Sequence, residues 1–459
     1  MQTLIAITAL GVFCLIAEIF NLRKLLVPVT VVGLLAVLGL TLQLWSIDPA
    51  LDTRYTSMIA VDGFASAFST LFVLLTLFLV LMSDTFYQEH PTKFSDFVAI
   101  KIFLLAGAVA MVSFTNLSMF FLGIEVLSIS LYVLAASKRL DIKSNEAGMK
   151  YFLMGSFASG IILFGICLIY GAMMSFDVTF IKEMSRSAEL PIWFPIGIIL
   201  VVIGMFFKIA AAPFHFWAPD VYEGSPALTT ATMSTLAKVT AMATLFKLLS
   251  VMNADIDSKF QMVIVVVSIL SMSIGNLMAL RQDNVKRMLA FSGISHAGFM
   301  LMALLSISNA GSMLLYYAAA YALAGIAAFA VIVSVTGDGG NETTARFNGL
   351  GKTHPLLAAI LTASLLSMAG IPIFSGFFAK FMLFSQTIQS GYLFLVIVGV
   401  INSIISVGYY FKLILAMYTK EAGEEKQAVP LVYTIVAVLS IALNIIIGLY
   451  PALVTDLLG

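Results

Sequence analysis

Charge is what this chain has least of. Asp, Glu, Lys and Arg make up 10% of its 459 residues, against about 25% in soluble domains, while 61% of residues are hydrophobic. A water-soluble globular fold is thereby excluded, and the chain reads as an integral membrane protein. Cysteine is nearly absent: Cys14 and Cys167 lie in separate apolar runs, with no CxxC or Cys/His cluster. That excludes structural zinc, iron–sulfur and haem attachment, and both cysteines read as small core residues. A signal-peptide cleavage site is lacking too, because the first apolar run, 3–20, continues through Asn21-Leu22-Arg23-Lys24 into a second run. The first segment is therefore expected to be retained.

What is abundant is long apolar stretches. Runs of about 20 apolar residues, enough to cross about 30 Å of hydrocarbon, predict an all-α membrane protein of fourteen transmembrane helices. They fall at 3–21, 26–45, 66–83, 97–114, 117–136, 151–171, 193–212, 227–250, 260–280, 287–306, 312–336, 353–386, 391–418 and 429–455. The twelfth is too long. Unbroken, its 34 residues would span about 51 Å at 1.5 Å per residue, more than tilt absorbs. Its "SMAGIPIFSGFFAKF", with Gly370, Pro372 and Gly376, predicts a break. The seventh carries Pro213, followed by Pro219 and Pro226, and predicts another.

Basic residues accumulate in cytoplasmic loops. With the N terminus outside, the cytoplasmic side holds Arg23, Lys24, Lys93, Lys138, Arg139, Lys143, Lys150, Arg281, Lys286, Arg287, Arg346, Lys352, Lys420 and Lys426. The opposite side holds only Arg54, Lys182, Arg186 and Lys259. Both termini are thus expected on the periplasmic side. Lys101, Lys247 and Lys412 lie near segment ends, where a long side chain can snorkel to the interface.

The chain also repeats. "AAAPF" at 210–214 resembles "AGIPI" at 369–373, five segments later, and an odd-numbered repeat inverts. Segments 4–8 (97–250) and 9–13 (260–418) are predicted to be two inverted five-helix repeats, each broken in its fourth helix, as in transporters with midplane sites. Residues 1–96 would add three helices before them and 429–459 one after, within a single polytopic domain.

Four charges sit deep in apolar sequence: Glu125, Lys208, Lys238 and Lys380. At about 2.5–3.5 kcal/mol each they represent up to about 12 kcal/mol of insertion cost before pairing. A structural Glu125–Lys208 pair is the plain alternative; Lys238 and Lys380 have no evident carboxylate in sequence. Burial favours the neutral lysine and a nearby carboxylate favours the charged one, so moving the partner switches the proton. Broken helices supply hydrated backbone where hydrocarbon forbids it. Together these make a proton relay. His296 in "FSGISHAGF" is either a further relay group or a hydrogen-bonded core histidine. His215, at the break, either lines a water path or caps freed carbonyls. Glu18 reads as an interfacial partner of Arg23 and Lys24, and Asp220 and Glu223 as surface groups of a loop. "RFNGLGKT", 346–353, has Arg346 where a phosphate loop needs its first glycine and no strand before it, so it is no nucleotide site. Asn341-Glu342-Thr343 is a glycosylation sequon by pattern, on the wrong side of the membrane.

"KIAAAPFHFWAPDVYEGSP", "RMLAFSGISHAGF", "FLGIEVLSISLYVLAA" and "SMAGIPIFSGFFAKFMLF" closely resemble the antiporter-like membrane subunits of proton-pumping NADH:quinone oxidoreductase, respiratory complex I, from about segment four to segment thirteen. Within that family "PDVYEGSP", "IEVLSISLY" and a lysine in segment twelve are similar to the subunit N branch, counterpart of mitochondrial subunit 2. "GIPIFSGF" departs from the family, which often has a second proline and a small residue there. The resemblance implies that Glu125 and Lys208 form an input pair, that Lys238 is the central carrier and that Lys380 is the exit-side carrier. It implies a bacterial inner-membrane location and a role as a proton-translocating subunit of the oxidoreductase, without redox chemistry of its own. No metal or cofactor is expected in this chain. NADH, FMN, iron–sulfur clusters and quinone are expected in partner subunits, with neighbouring antiporter-like subunits and the lipid bilayer as its surroundings and no nucleic acid. The alternatives are an Mrp-type cation/proton antiporter subunit and a free-standing secondary transporter or solute symporter. A dedicated sodium site would want several oxygen ligands, whereas the buried set here is mostly lysine.

Overall fold

A computed structural model describes residues 1–20, 22–44, 57–87, 94–187, 190–252, 258–307, 310–337, 342–421 and 429–458. Arg54, Lys93, Asn341 and Lys426 lie outside them. The described residues are helical apart from turns and three isolated bridges. In chain order the α-helices are α1 (Gln2–Ile19), α2 (Arg23–Leu44), α3 (Gly63–Phe86), α4 (Phe94–Ser113), α5 (Leu117–Ala135), α6 (Ile142–Met173), α7 (Val178–Ser187), α8 (Trp193–Lys208), α9 (Trp217–Gly224), α10 (Ala227–Thr232), α11 (Lys238–Val251), α12 (Ser258–Ala279), α13 (Val285–Leu301), α14 (Gly311–Thr336), α15 (Leu350–Thr353), α16 (Pro355–Ala369), α17 (Ser375–Gln389), α18 (Leu393–Thr419), α19 (Leu431–Leu449) and α20 (Ala452–Thr455). A π-helical turn, Met233–Ala237, joins α10 to α11 into one span.

Among the described residues twelve helices are long and apolar enough to cross a membrane, and two shorter apolar helices, α8 and α16, begin the two broken units. Each of the fourteen expected segments thus has a helical counterpart. The breaks have distinct backbone causes. After α8, Ala210 adopts φ +58, and Pro213 has no backbone N–H with which to continue the helix. After α16, Gly370 takes φ +90, a conformation open to glycine at no steric cost. There a Cβ on Gly376 would stand 1.8 Å from the Ser367 carbonyl oxygen, so the two half-helices approach to backbone contact. The amphipathic α7 was not legible as an apolar run, and α6 begins nine residues before the expected 151, extended by the polar stretch that carries Glu146 and Lys150.

Burial is uneven. The best-hydrophobic windows of α13 and α14 are wholly inside, whereas α1 and α2 are mostly peripheral. Small residues allow the closest helix contacts, as membrane packing requires: a Cβ on Gly165 of α6 would meet the Gly197 carbonyl oxygen of α8 at 2.6 Å. Contacts between connections sort them onto two sides. One side holds Lys412 with Asp283, the Asn284–Thr343 bridge and Lys286 on the Ser225 carbonyl. The other holds the Ile59–Phe114 and Asn116–Asp177 bridges and Lys247 on Asp62. Alternate connections therefore fall on opposite faces, as successive crossings demand.

Candidate functional site

Lys208 is the last residue of α8, where the helix has carbonyls and no continuing turn. Its ammonium donates to Ser128 Oγ at 2.8 Å, Ser159 Oγ at 3.1 Å and Tyr132 OH at 3.4 Å, drawing α5 and α6 onto the break. Gly155 of α6 makes this possible, since a Cβ there would lie 2.1 Å from Tyr132 OH. Glu125 stands one turn before Ser128 on α5. Among the described residues no ion pair joins it to Lys208, and its buried Oε1 has no hydrogen-bond partner. The carboxylate is a neighbour of a lysine held by hydroxyls.

Lys238 opens α11 directly after the π-turn, whose extra residue redirects the face that follows it. Only 3% exposed, its Nζ has no hydrogen-bond partner among the described residues. The nitrogen lies 5.9 Å from the Tyr222 ring centroid and against Gly293 of α13, where a Cβ would approach it to 2.6 Å and Tyr321 OH to 3.0 Å. Tyr321 OH reaches Ser234 Oγ of the π-turn at 3.2 Å. Leaving an isolated ammonium in such a place costs several kcal/mol, so neutralisation competes with charge.

His296 lies one turn beyond Gly293 on the same helix. Its Nδ1 is 2.8 Å from Tyr317 OH and its Nε2 3.4 Å from Tyr410 OH, which in turn is 2.5 Å from Ser292 Oγ. The imidazole ring lies 4.7 Å from that of Tyr321 and 6.2 Å from that of Phe299, over which the Lys380 nitrogen sits. The histidine thus stands in a hydroxyl network between two buried lysines. Lys380 of α17 folds back over its own break: Nζ donates to the Ala369 carbonyl at 2.8 Å and lies 4.9 Å from the Phe299 ring. A cation at the last carbonyl of α16 sits at the negative end of that half-helix dipole. His215 is buried at the first break, its Nδ1 without a hydrogen-bond partner among the described residues.

Several residues read differently in three dimensions. Lys101 is buried within the bundle, and the buried stem of Lys247 carries its nitrogen to the ends of α3 and α4. Lys101 is 1% exposed and donates to Ser83 Oγ at 2.6 Å; Lys247 is held by Asp62 Oδ2 at 3.1 Å and the Val112 carbonyl at 2.6 Å. Lys412, paired with Asp283 at 2.9 Å, does stay at the rim. Lys286, expected in a loop, is buried against Glu342 at 2.7 Å. Asp220 and Glu223 belong to α9 and bind Arg287. Ser95 of α4 hydrogen-bonds the Glu18 carboxylate. Cys14 is buried, but Cys167 faces outward. Residues 346–353 form a 3-10 turn and the short α15, with no strand before them among the described residues. No group of His, Cys, Asp or Glu that could hold a metal occurs among the described residues.

The family model described as "NADH:quinone oxidoreductase/Mrp antiporter, TM" matches residues 114–406. NADH-quinone oxidoreductase subunit N of Flavobacterium johnsoniae is 67% identical over the whole of both chains. The subunit N of Cytophaga hutchinsonii is 42% identical over 98% of each. Among solved structures, a chain of respiratory complex I from Thermus thermophilus superposes with a TM-score of 0.84 at 28% identity, covering 99% of this chain and 98% of that one. A chain of the Mrp complex from Dietzia shares the fold, with a TM-score of 0.85 at 22% identity over 99% and 94%. Fold, matched span and full-length identity agree, and the chain belongs to the NADH:quinone oxidoreductase/Mrp antiporter family of membrane subunits, on its subunit N branch.

Proposed function

We propose that this chain is a proton-translocating subunit of a respiratory NADH:quinone oxidoreductase. The observation that carries the proposal is the succession of polar groups from one broken helix to the other: the half-buried Lys208 at the end of α8, then the buried Lys238 after the π-turn, His296 among tyrosines, and Lys380 at the second break. The three lysines are held by hydroxyls, a ring face or a carbonyl. Each can therefore lose its proton without abandoning a bound carboxylate. Glu125 sets the charge preference of Lys208, Lys238 is the central carrier, His296 bridges it to Lys380, and Lys380 gives the proton up on the exit side.

Moving one charge against 100 mV costs about 2.3 kcal/mol, and this chain carries no motif for a redox group to supply it. The drive comes from partner subunits that hold NADH, FMN, iron–sulfur clusters and quinone, transmitted through neighbouring antiporter-like subunits in the bacterial inner membrane. Repeats 97–250 and 260–418 act as two half-channels of opposite orientation, with both termini on the periplasmic side. The fold shared with the Mrp complex supports cation/proton antiport as the second function. Purification separates the two, since a complex I subunit comes away with a flavin-containing assembly. Proton pumping by Lys238→Ala in membrane vesicles, normalised to assembled complex, tests the relay: loss of pumping with intact assembly supports it, and normal pumping overturns it.

A further inference from the structure

The first turn of α13 breaks a local rule. Lys286 and Arg287 stand there with no acidic residue in that turn, although the positive end of a helix dipole disfavours cations. Both reach the other half of the molecule, Lys286 while also paired with Glu342 of its own half. Arg287 Nη1 donates to Asp220 Oδ1 at 2.7 Å and to Glu223 Oε2 at 2.9 Å, and Lys286 Nζ donates to the Ser225 carbonyl at 2.7 Å. All three acceptors lie on α9 or directly after it.

The short α9 is thus held at both ends by different partners. At its start, Trp217 Nε1 donates to the Phe207 carbonyl at 3.0 Å, next to Lys208, and the Trp217 ring stacks on Tyr151 at 4.6 Å. At its end sits the grip from α13. That helix then runs inward, and nine residues after Arg287, about 13 Å along the axis, it presents His296, having passed Gly293 against Lys238. One continuous path of contacts therefore joins the Lys208 break to the Lys238 and His296 site.

The two grips differ in kind. Lys286 is 3% exposed and paired with Glu342, a fixed anchor. Arg287, Asp220 and Glu223 are 29%, 39% and 33% exposed, where ion pairs are weak and open readily. Asp220 has a second suitor: Lys150 of α6 reaches its Oδ2 at 3.0 Å. The carboxylate can pass between a cation of the first repeat and one of the second while Glu223 keeps hold of Arg287.

We propose that Arg287, Asp220 and Glu223 form a reversible clasp between the repeats, through which the state of the Glu125 and Lys208 site sets the position of α13 at Lys238. These are positioning residues, and the proposal rests on the relay described above. It makes Glu125 and Arg287 successive parts of one transmission, so their losses do not multiply.

The test is proton pumping per assembled complex in membrane vesicles for Glu125→Gln, Arg287→Gln and the double variant, with Arg287→Lys and Lys238→Ala beside them. Arg287→Gln is expected to lower pumping about two- to thirty-fold, the range of coupling energies carried by such networks, with Arg287→Lys retaining most of it. The double variant is expected to pump no worse than the worse single one. A double loss equal to the product of the single losses, or normal pumping by Arg287→Gln, overturns the clasp while leaving the relay standing. Normal pumping by Lys238→Ala overturns relay and clasp together. Should Arg287→Gln fail to assemble, Glu223→Gln, which removes one arm only, takes its place in the same cycle with the same expected and overturning results.

Discussion

Lys208 Nζ lies 2.8 Å from Ser128 Oγ, while Glu125, one turn before that serine on α5, leaves its Oε1 without a hydrogen-bond partner among the described residues. The lysine is solvated by hydroxyls and is not tied to the carboxylate by a hydrogen bond. This arrangement lets charge, and not contact, be the variable.

Glu125→Asp is therefore expected to keep much of the pumping, because the charge persists one methylene shorter, whereas Glu125→Gln keeps shape and loses charge. A change of two units in the lysine's proton affinity is worth about 2.7 kcal/mol, enough to hold one protonation state through the cycle. Pumping in vesicles, normalised to assembled complex, checks this; equal, near-normal rates for both variants would remove Glu125 from the relay.

Gly293→Ala tests the seat of Lys238. A Cβ there meets the Lys238 nitrogen at 2.6 Å and Tyr321 OH at 3.0 Å. The lysine's flexible end can swing away, so the complex should assemble in normal amounts while pumping falls. Normal pumping would show that the position of the nitrogen is immaterial.

Gly376→Ala probes the second break and should act on stability instead. Its Cβ would meet backbone, the Ser367 carbonyl at 1.8 Å, which cannot yield as a side-chain tip does. Overpacking of this kind costs about 1–3 kcal/mol, and the amount of assembled complex in the membrane should drop. Wild-type abundance and thermal stability would contradict the close approach of α16 and α17.

Orientation has its own measurement. A periplasm-active reporter fused after Leu458 is expected to be active and one fused after Lys143 inactive, from the excess of basic residues on the side that carries Lys143. The reverse pattern would invert the topology and exchange input and output sides.

The long apolar segments, both breaks and the four deep charges were legible in the sequence, because each is a local departure from a simple requirement. Hydrocarbon needs about 20 apolar residues per crossing and tolerates neither charge nor unpaired backbone, so Pro213, Gly370, Lys208, Lys238 and Lys380 stand out in a single pass. What sequence could not decide is which side each lysine turns to. Lys101 lies near a segment end and so reads as interfacial; it is buried because α3 covers it, and a side chain can snorkel only where no neighbouring helix is in the way. The π-turn before Lys238 packs against Tyr321 and Gly325, residues far away in sequence. Asp220 finds Arg287 at a sequence separation of 67. Local propensity and hydropathy act over one or two turns, whereas these pairings arise when helices from the two halves are brought side by side, and only the tertiary structure does that.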